Sequence, residues 1–240
     1  MKTIYKRLII YVIGLFTLAL GCSFSIMANL GVSPVSSLAY SIHLISPWSV
    51  GLASVVVYMA FIAIQMVLNR CVDLREACLQ MILSVIFGFF MDATLWLLAF
   101  LPAAQHWWLQ AAYLVISLWV ISCGLVGYFT AKLPLLPYDA LSFAIKNRFD
   151  IPFSRAKISG DVINVLISAS LCWTFLHQWS AIGIGTAIAA VSIGKIMGFL
   201  NPKLQPVLLN WLPLTHSNKT PIKPFNGFKI HLSQPLASGL

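Results

Sequence analysis

Acidic residues are scarce in this chain: six Asp and Glu stand against fifteen Lys and Arg in 240 residues. Charge of either sign makes up 9% of the sequence, where a soluble domain carries roughly 25%. With 60% hydrophobic residues and a mean hydropathy of +0.89, the chain cannot hide its apolar surface in a water-soluble core, so the bilayer must be its solvent. The five cysteines (Cys22, Cys71, Cys78, Cys123, Cys172) are odd in number and lack C-x-x-C spacing, which excludes a disulfide framework and a zinc pattern. No G-x-S-x-G, H-E-x-x-H, phosphate-loop or dinucleotide signature occurs. No catalytic residue, cofactor or metal site is therefore assigned, and an enzyme is not expected.

What the chain does have is apolar length. A span needs about 20 apolar residues, and six windows qualify: 8–29, 50–69, 78–101, 108–131, 158–176 and 180–199. Trp48, Trp107, Trp108, Trp173 and Trp179 fall near expected outer boundaries, where amphipathic rings favour the headgroup level. The first window follows Lys2, Lys6 and Arg7 as a signal sequence would, but no A-x-A site follows it, so it reads as an uncleaved span. The basic residues then alternate with the spans. Arg70 and Arg75 follow the second span, Lys132 through Lys157 the fourth, and Lys195 onward the sixth, while loops 31–48, 102–107 and 177–180 carry no Lys, Arg, Asp or Glu. Lys and Arg in short loops mark the cytoplasmic side, which places both termini in the cytoplasm of a bacterial inner-membrane protein. The net charge of +9 thus reflects topology, and no nucleic-acid partner is expected. From Asn201 prolines accumulate, and 201–240 reads as a mostly disordered cytoplasmic tail with a short interfacial piece near Leu208–Leu214.

The chain also matches itself. At an offset of 103, Gly21 meets Gly124, Ala28 meets Ala131, Pro34 meets Pro137 and Leu38 meets Leu141; at 105, Pro47-Trp48-Ser49 meets Pro152-Phe153-Ser154; at 106, Gly88 meets Gly194 and Met91 meets Met197. Residues 1–101 and 102–200 are read as two repeats. Each holds three spans, so the second must insert upside down, an arrangement found in several transporter folds.

Each repeat carries a Pro-led apolar segment too short to span. Ser33-Pro34 opens the first and Pro137 the second, with Ser33 a candidate N-cap and proline suited to the first helical position. They read either as re-entrant half-helices with positive ends aimed inward or as interfacial helices lying flat. Asp139 follows Pro137, as a complement to the helix N-terminus or as part of a substrate or cation site. Asp92 lies well inside the third span, and an intramembrane carboxylate normally faces the bundle interior or water. Ser84, Gly88 and Asp92 share a helical face, and their counterparts are Ala190, Gly194 and Gly198; both faces suit close helix approach and are expected on the seam between repeats. Asp92 is a coupling-ion candidate or a structural acid, expected within reach of His43, Asn29 or a polar cavity. Asp161 and Lys195 are expected to pair at one depth, with snorkelling of Lys195 the alternative. His43 is the histidine expected to be membrane-buried.

Asn29-Leu30-Gly31-Val32-Ser33-Pro34, Phe153-Ser154-Arg155-Ala156-Lys157-Ile158 with Asp161, and Gly183-Ile184-Gly185-Thr186 followed by Gly194 resemble the YczE/YitT family of bacterial inner-membrane proteins. Where related sequences often carry a Gly-Glu-Gly-like stretch, Tyr138-Asp139-Ala140 keeps an acid and loses the glycines. The resemblance implies an integral membrane protein of largely unassigned function and supplies no substrate. Together these readings predict an all-α membrane protein of two inverted three-span repeats, most simply a small secondary transporter for an unidentified small-molecule substrate. The alternative is a non-transporting accessory subunit or scaffold. Besides the lipid bilayer, a homo-oligomer or a membrane-protein partner is compatible with the sequence.

Overall fold

The computed structural model describes residues 2–178, 180–211 and 229–231. Trp179 and tail residues 212–228 and 232–240, with the expectations placed on them, lie outside the described residues. The chain is all-α, with helices α1 Lys2–Met27, α2 Pro34–Ile45, α3 Val50–Asn69, α4 Leu74–Leu98, α5 Trp107–Thr130, α6 Pro137–Phe149, α7 Phe153–Leu176 and α8 Ile184–Trp211. Six of these are long and apolar enough to cross a membrane, which makes the protein multi-pass. Two three-residue strands, β1 Cys71–Asp73 and β2 Lys229–His231, pair antiparallel, so part of the expected tail belongs to regular structure.

Local chemistry sets most helix ends. Pro34 and Pro137 open the short helices, and the residues before them take nearly the same extended conformation: Ser33 at φ −61°, ψ 148° and Leu136 at φ −59°, ψ 149°. Ser49 caps α3 by accepting from the Leu52 N–H at 3.1 Å. Asp73 caps α4 by accepting from the Arg75 and Glu76 N–H groups, each at 3.2 Å. After α1 and α5, Asn29 and Lys132 both adopt φ 52° and end their helices in the left-handed region. α8 departs from expectation: it passes through Pro202 and Pro206 and ends at Trp211, whose carbonyl accepts from the Lys6 ammonium at 3.1 Å.

α1 and α5 form the central pair. In lipid, helices associate through close packing, and here glycines let the two backbones touch. A Cβ built on Gly14 would stand 2.6 Å from the Tyr128 nitrogen, and one on Gly21 would stand 2.6 Å from the Ile121 nitrogen. Around this pair, α4 packs on α1 and α8 on α5. The two short helices and the two third helices close a ring: α2 on α3, α3 on α6, α6 on α7, α7 on α2. Each short helix thus lies between one helix of its own half and one of the other.

Candidate functional site

The ring places the starts of both short helices on one face of α7. Lys157, Asp161, Asn164, Ser168 and Cys172 recur at intervals of three and four residues, and so share that face. At the α6 start, the Lys157 ammonium pairs with the Asp139 carboxylate at 2.9 Å, and the Asp139 side chain is only 4% exposed. Lys157 also lies 4.5 Å from the centre of the Tyr138 ring. The Tyr138 hydroxyl donates to Asp161, one turn along α7. One turn further, Asn164 donates its amide to the Pro34 carbonyl, in the first turn of α2, at 2.7 Å. Ser168 donates to the Ser37 carbonyl at 3.0 Å and meets the Ser41 hydroxyl, and the Cys172 thiol donates to Ser41 at 3.3 Å. The Asn164 Oδ1, inside a residue 2% exposed, has no partner among the described residues.

The N-terminus of α6 therefore meets α7 in its first turns, at Lys157 and Asp161, and that of α2 meets it near its middle, at Asn164. Helix N-termini carry partial positive charge. At α6 that charge faces Asp139, whereas the first turn of α2 contains no acid. Ser33 occupies the N-cap position of α2 but makes no side-chain cap; its hydroxyl pairs with that of Ser36 at 2.8 Å. Behind α6, the Tyr128 hydroxyl accepts from the Leu136 N–H at 2.7 Å and the Tyr11 hydroxyl donates to the Pro134 carbonyl at 2.6 Å, fixing the entry of the short helix.

A second junction between the halves lies in the loops. The Val32 N–H donates to the Ala181 carbonyl at 3.0 Å and the Gly185 N–H to the Leu30 carbonyl at 2.7 Å. Gly31, at φ 98°, lies so close that a Cβ there would strike the Gly183 nitrogen, which no L-residue could accommodate at that φ. The two glycine-bearing motifs, far apart in sequence, thus dock on each other.

Several expected placements are corrected. Asp92 is not on the seam between halves. One carboxylate oxygen accepts from the Gly51 N–H and the other from the Ser49 hydroxyl, both at 2.7 Å, so Asp92 completes the N-terminal cap of α3 within its own half. The Ser84–Gly88–Asp92 face packs on α3, where Gly88 and Gly51 interlock. Ala190, Gly194 and Gly198 are exposed, and a Cβ on Gly194 or Gly198 would meet nothing within 4 Å. Asp161 and Lys195 are not brought together: α7 packs on α2 and α6, α8 packs on α5, and Lys195 is exposed. His43 is half-buried at the α2–α3 turn with Nδ1 against the Trp48 carbonyl at 2.7 Å, and Asn29 is an exposed helix terminator. Of the site candidates, Asp139, Asp161 and the helix starts Ser33, Pro34 and Pro137 belong to the cluster. Lys157, Tyr138, Asn164 and Ser168 join it unforeseen, although the polar face of α7 was readable from its spacing.

The cap geometry makes a prediction. Asp92→Ala removes both acceptors from the α3 start and should cost about 1–2 kcal/mol. Asp92→Asn keeps one acceptor and should cost less. Thermal unfolding in detergent would show the order; equal losses for both variants would mean the carboxylate does not act as a cap.

A family model described as a family of unknown function (DUF6198) matches residues 5–202, and the chain belongs to that family. It is similar to an uncharacterized protein of Haemophilus influenzae, 24% identical over 195 residues, covering 81% of this chain and 83% of that protein. No solved structure matches the chain.

Proposed function

We propose that this member of a family of unknown function is a small secondary transporter, not an enzyme, and that it binds a small polar solute where α2 and α6 converge on α7. The observation that carries the reading is the meeting of two short-helix N-termini on one buried polar face. Broken or short helices that aim their ends at a common point near mid-membrane are a recurring way to build a solute site inside a bilayer. The Asp139–Lys157 pair beside Asp161 supplies fixed charge there, and ionisable groups within membrane spans usually mark a pathway. The repeated element order (long, short Pro-led, long, long) with matching dihedrals at Ser33 and Leu136 supports an inverted repeat. The alternation of basic loops supports an inner-membrane protein with both termini cytoplasmic. The resemblance to YczE/YitT proteins agrees with an integral membrane protein and supplies no substrate. In it, the docking of Gly31 on Gly183 closes the charge-poor end, and rocking of one half against the other would open it.

One observation favours a second reading. The small-residue face of α8 at Ala190, Gly194 and Gly198 is exposed among the described residues, as an accessory subunit awaiting a membrane partner would present. Uptake into liposomes containing the purified protein separates the two. Transport predicts flux of at least one solute from a metabolite panel, lost in the Asp139→Asn, Lys157→Met double variant while the protein remains folded. Flux no greater than in protein-free liposomes across the panel would favour the accessory role.

A further inference from the structure

The contacts of the central pair recur at the offset that relates the two halves. Gly21 meets Ile121 and Gly124 meets Leu18, and an offset of 103 carries Leu18 to Ile121 and Gly21 to Gly124. Other pairings recur in the same way: α1 on α4 with α5 on α8, α2 on α3 with α6 on α7, and α2 on α7 with α6 on α3. The packing of α3 on α4 breaks the pattern. It is close, with Gly51 against Gly88 and the Tyr58 and Phe87 rings stacked 5.6 Å apart, and α7 and α8 have nothing like it among the described residues. The faces that would meet are bare instead. At an offset of 105, Tyr58 and Ile62 on α3 correspond to Ile163 and Ile167 on α7; the first two are 2% and 6% exposed, the second two 53% and 46%. On α8, Ala190 and Gly194 are exposed, whereas their counterparts Ser84 and Gly88 on α4 are buried.

We propose that the second half closes in another conformation of the protein, with α8 packed on α7 as α4 is packed on α3 here. The repeat names the occupant, because each bare face is the counterpart of one that its neighbour covers in the first half. α4 packs on α1 and α3 at once, so α8 can reach α7 while keeping α5. The open arrangement is tolerable in a bilayer, where lipid tails cover apolar side chains as well as a neighbouring helix does. Hydroxyls on the bare face of α7 are already matched on their own helix, Ser159 to the Arg155 carbonyl at 2.8 Å and Ser170 to the Leu166 carbonyl at 2.9 Å. Closure would gain the tight van der Waals packing that small residues allow. The two halves differ in a latch. Asp92 on α4 bonds Ser49 and Gly51 at the start of α3 and holds that pair shut; its counterpart on α8 is Gly198, which has no side chain to bond. α7 also carries the polar face with Lys157, Asp161 and Asn164. A helix that docks and undocks there acts on the element where the two short helices meet. The inference rests on the repeat invoked in the transporter reading, not on solute movement, so the flux assay and the test below fail independently.

Disulfide trapping in membranes containing the full chain tests it. Gly160 and Gly194 correspond to Val55 and Gly88, which touch across α3 and α4. A cysteine fits at both sites, since a Cβ at Gly160 would meet only Ser142 Oγ, at 3.9 Å, and one at Gly194 nothing within 4 Å. Two cysteines bridge only when their Cα atoms come within about 7 Å, so helices that do not pack cannot join until they close. Gly160→Cys with Gly194→Cys should form an intrachain disulfide on oxidation, located by peptide mapping and absent from either single variant. The bond accumulates the closed state even where that state is a minor one. Should the double variant fail to accumulate, Ile163→Cys with Ile193→Cys, the counterparts of the stacked Tyr58 and Phe87, reads the same closure. No intrachain disulfide in the folded variant would overturn the proposal. A disulfide between these positions that joins two chains would overturn it as well, and would make a second copy the partner of the bare faces.

Discussion

Lys157→Met should be the most damaging single substitution in the charged cluster. Removing one partner of a buried ion pair typically costs about 3–5 kcal/mol, because the other charge stays buried without compensation. Here the loss should exceed that of Asp139→Asn, for a reason visible in the helix spacing. Lys157 has two carboxylates within reach: Asp139 at 2.9 Å and Asp161 four residues on along α7. When Asp139 is neutralised, the ammonium can lean toward Asp161. When Lys157 is neutralised, Asp139 loses its cation, and Asp161 is left with the hydrogen bond from the Tyr138 hydroxyl. The double variant Asp139→Asn, Lys157→Met leaves one carboxylate with its hydroxyl donor and should recover much of the stability lost by Lys157→Met. A double-mutant cycle read by thermal or denaturant unfolding in detergent measures this. Strictly additive single losses would mean that the two groups do not act as a pair, and a larger loss for Asp139→Asn would remove Asp161 from the account.

The parts of this fold legible from sequence are those that local physics decides. Span number followed from apolar length, and the short helices followed from proline at a first helical position before a run too short to cross. Asp139 was readable as part of a polar site because an acid next to a buried helix start must be matched. Pairings between helices were less legible. The face carrying Ser84, Gly88 and Asp92 was identified correctly, but a face does not name its neighbour. Matching Gly88 with Gly194 suggested equivalent packing for both, yet α4 settles on α3 through Gly51 while α8 settles on α5. The expected Asp161–Lys195 pair failed for the same reason, since it assumed that helices consecutive in sequence are neighbours in space. α8 continues through Pro202 and Pro206 although proline accumulation signals a helix stop, because helices in membrane proteins can tolerate proline when neighbours re-satisfy the backbone.

Gly21→Ala and Gly194→Ala should change stability in opposite directions. Intrinsic helix propensity favours alanine over glycine by about 1 kcal/mol inside a helix, and both positions are helical. At Gly194 a new Cβ meets nothing within 4 Å, so the propensity gain should appear as a small stabilisation. At Gly21 the Cβ would stand 2.6 Å from the Ile121 nitrogen and 3.0 Å from its Cα, both backbone atoms that no rotamer change can move. α1 and α5 would have to separate, and overpacking of this kind costs about 1–3 kcal/mol. The loss should grow with side-chain size at Gly21, and Gly124→Ala, whose Cβ would lie 2.5 Å from the Leu18 nitrogen, should behave alike. Unfolding of single variants in detergent reads the sign directly. A neutral or stabilising Gly21→Ala would mean that the central pair is looser than its backbone contacts indicate. A loss at Gly194 as large as that at Gly21 would mean that the α8 face is packed against something in the purified protein. Cross-linking through a cysteine placed at Ala190 would then show whether a second copy of the chain supplies the contact.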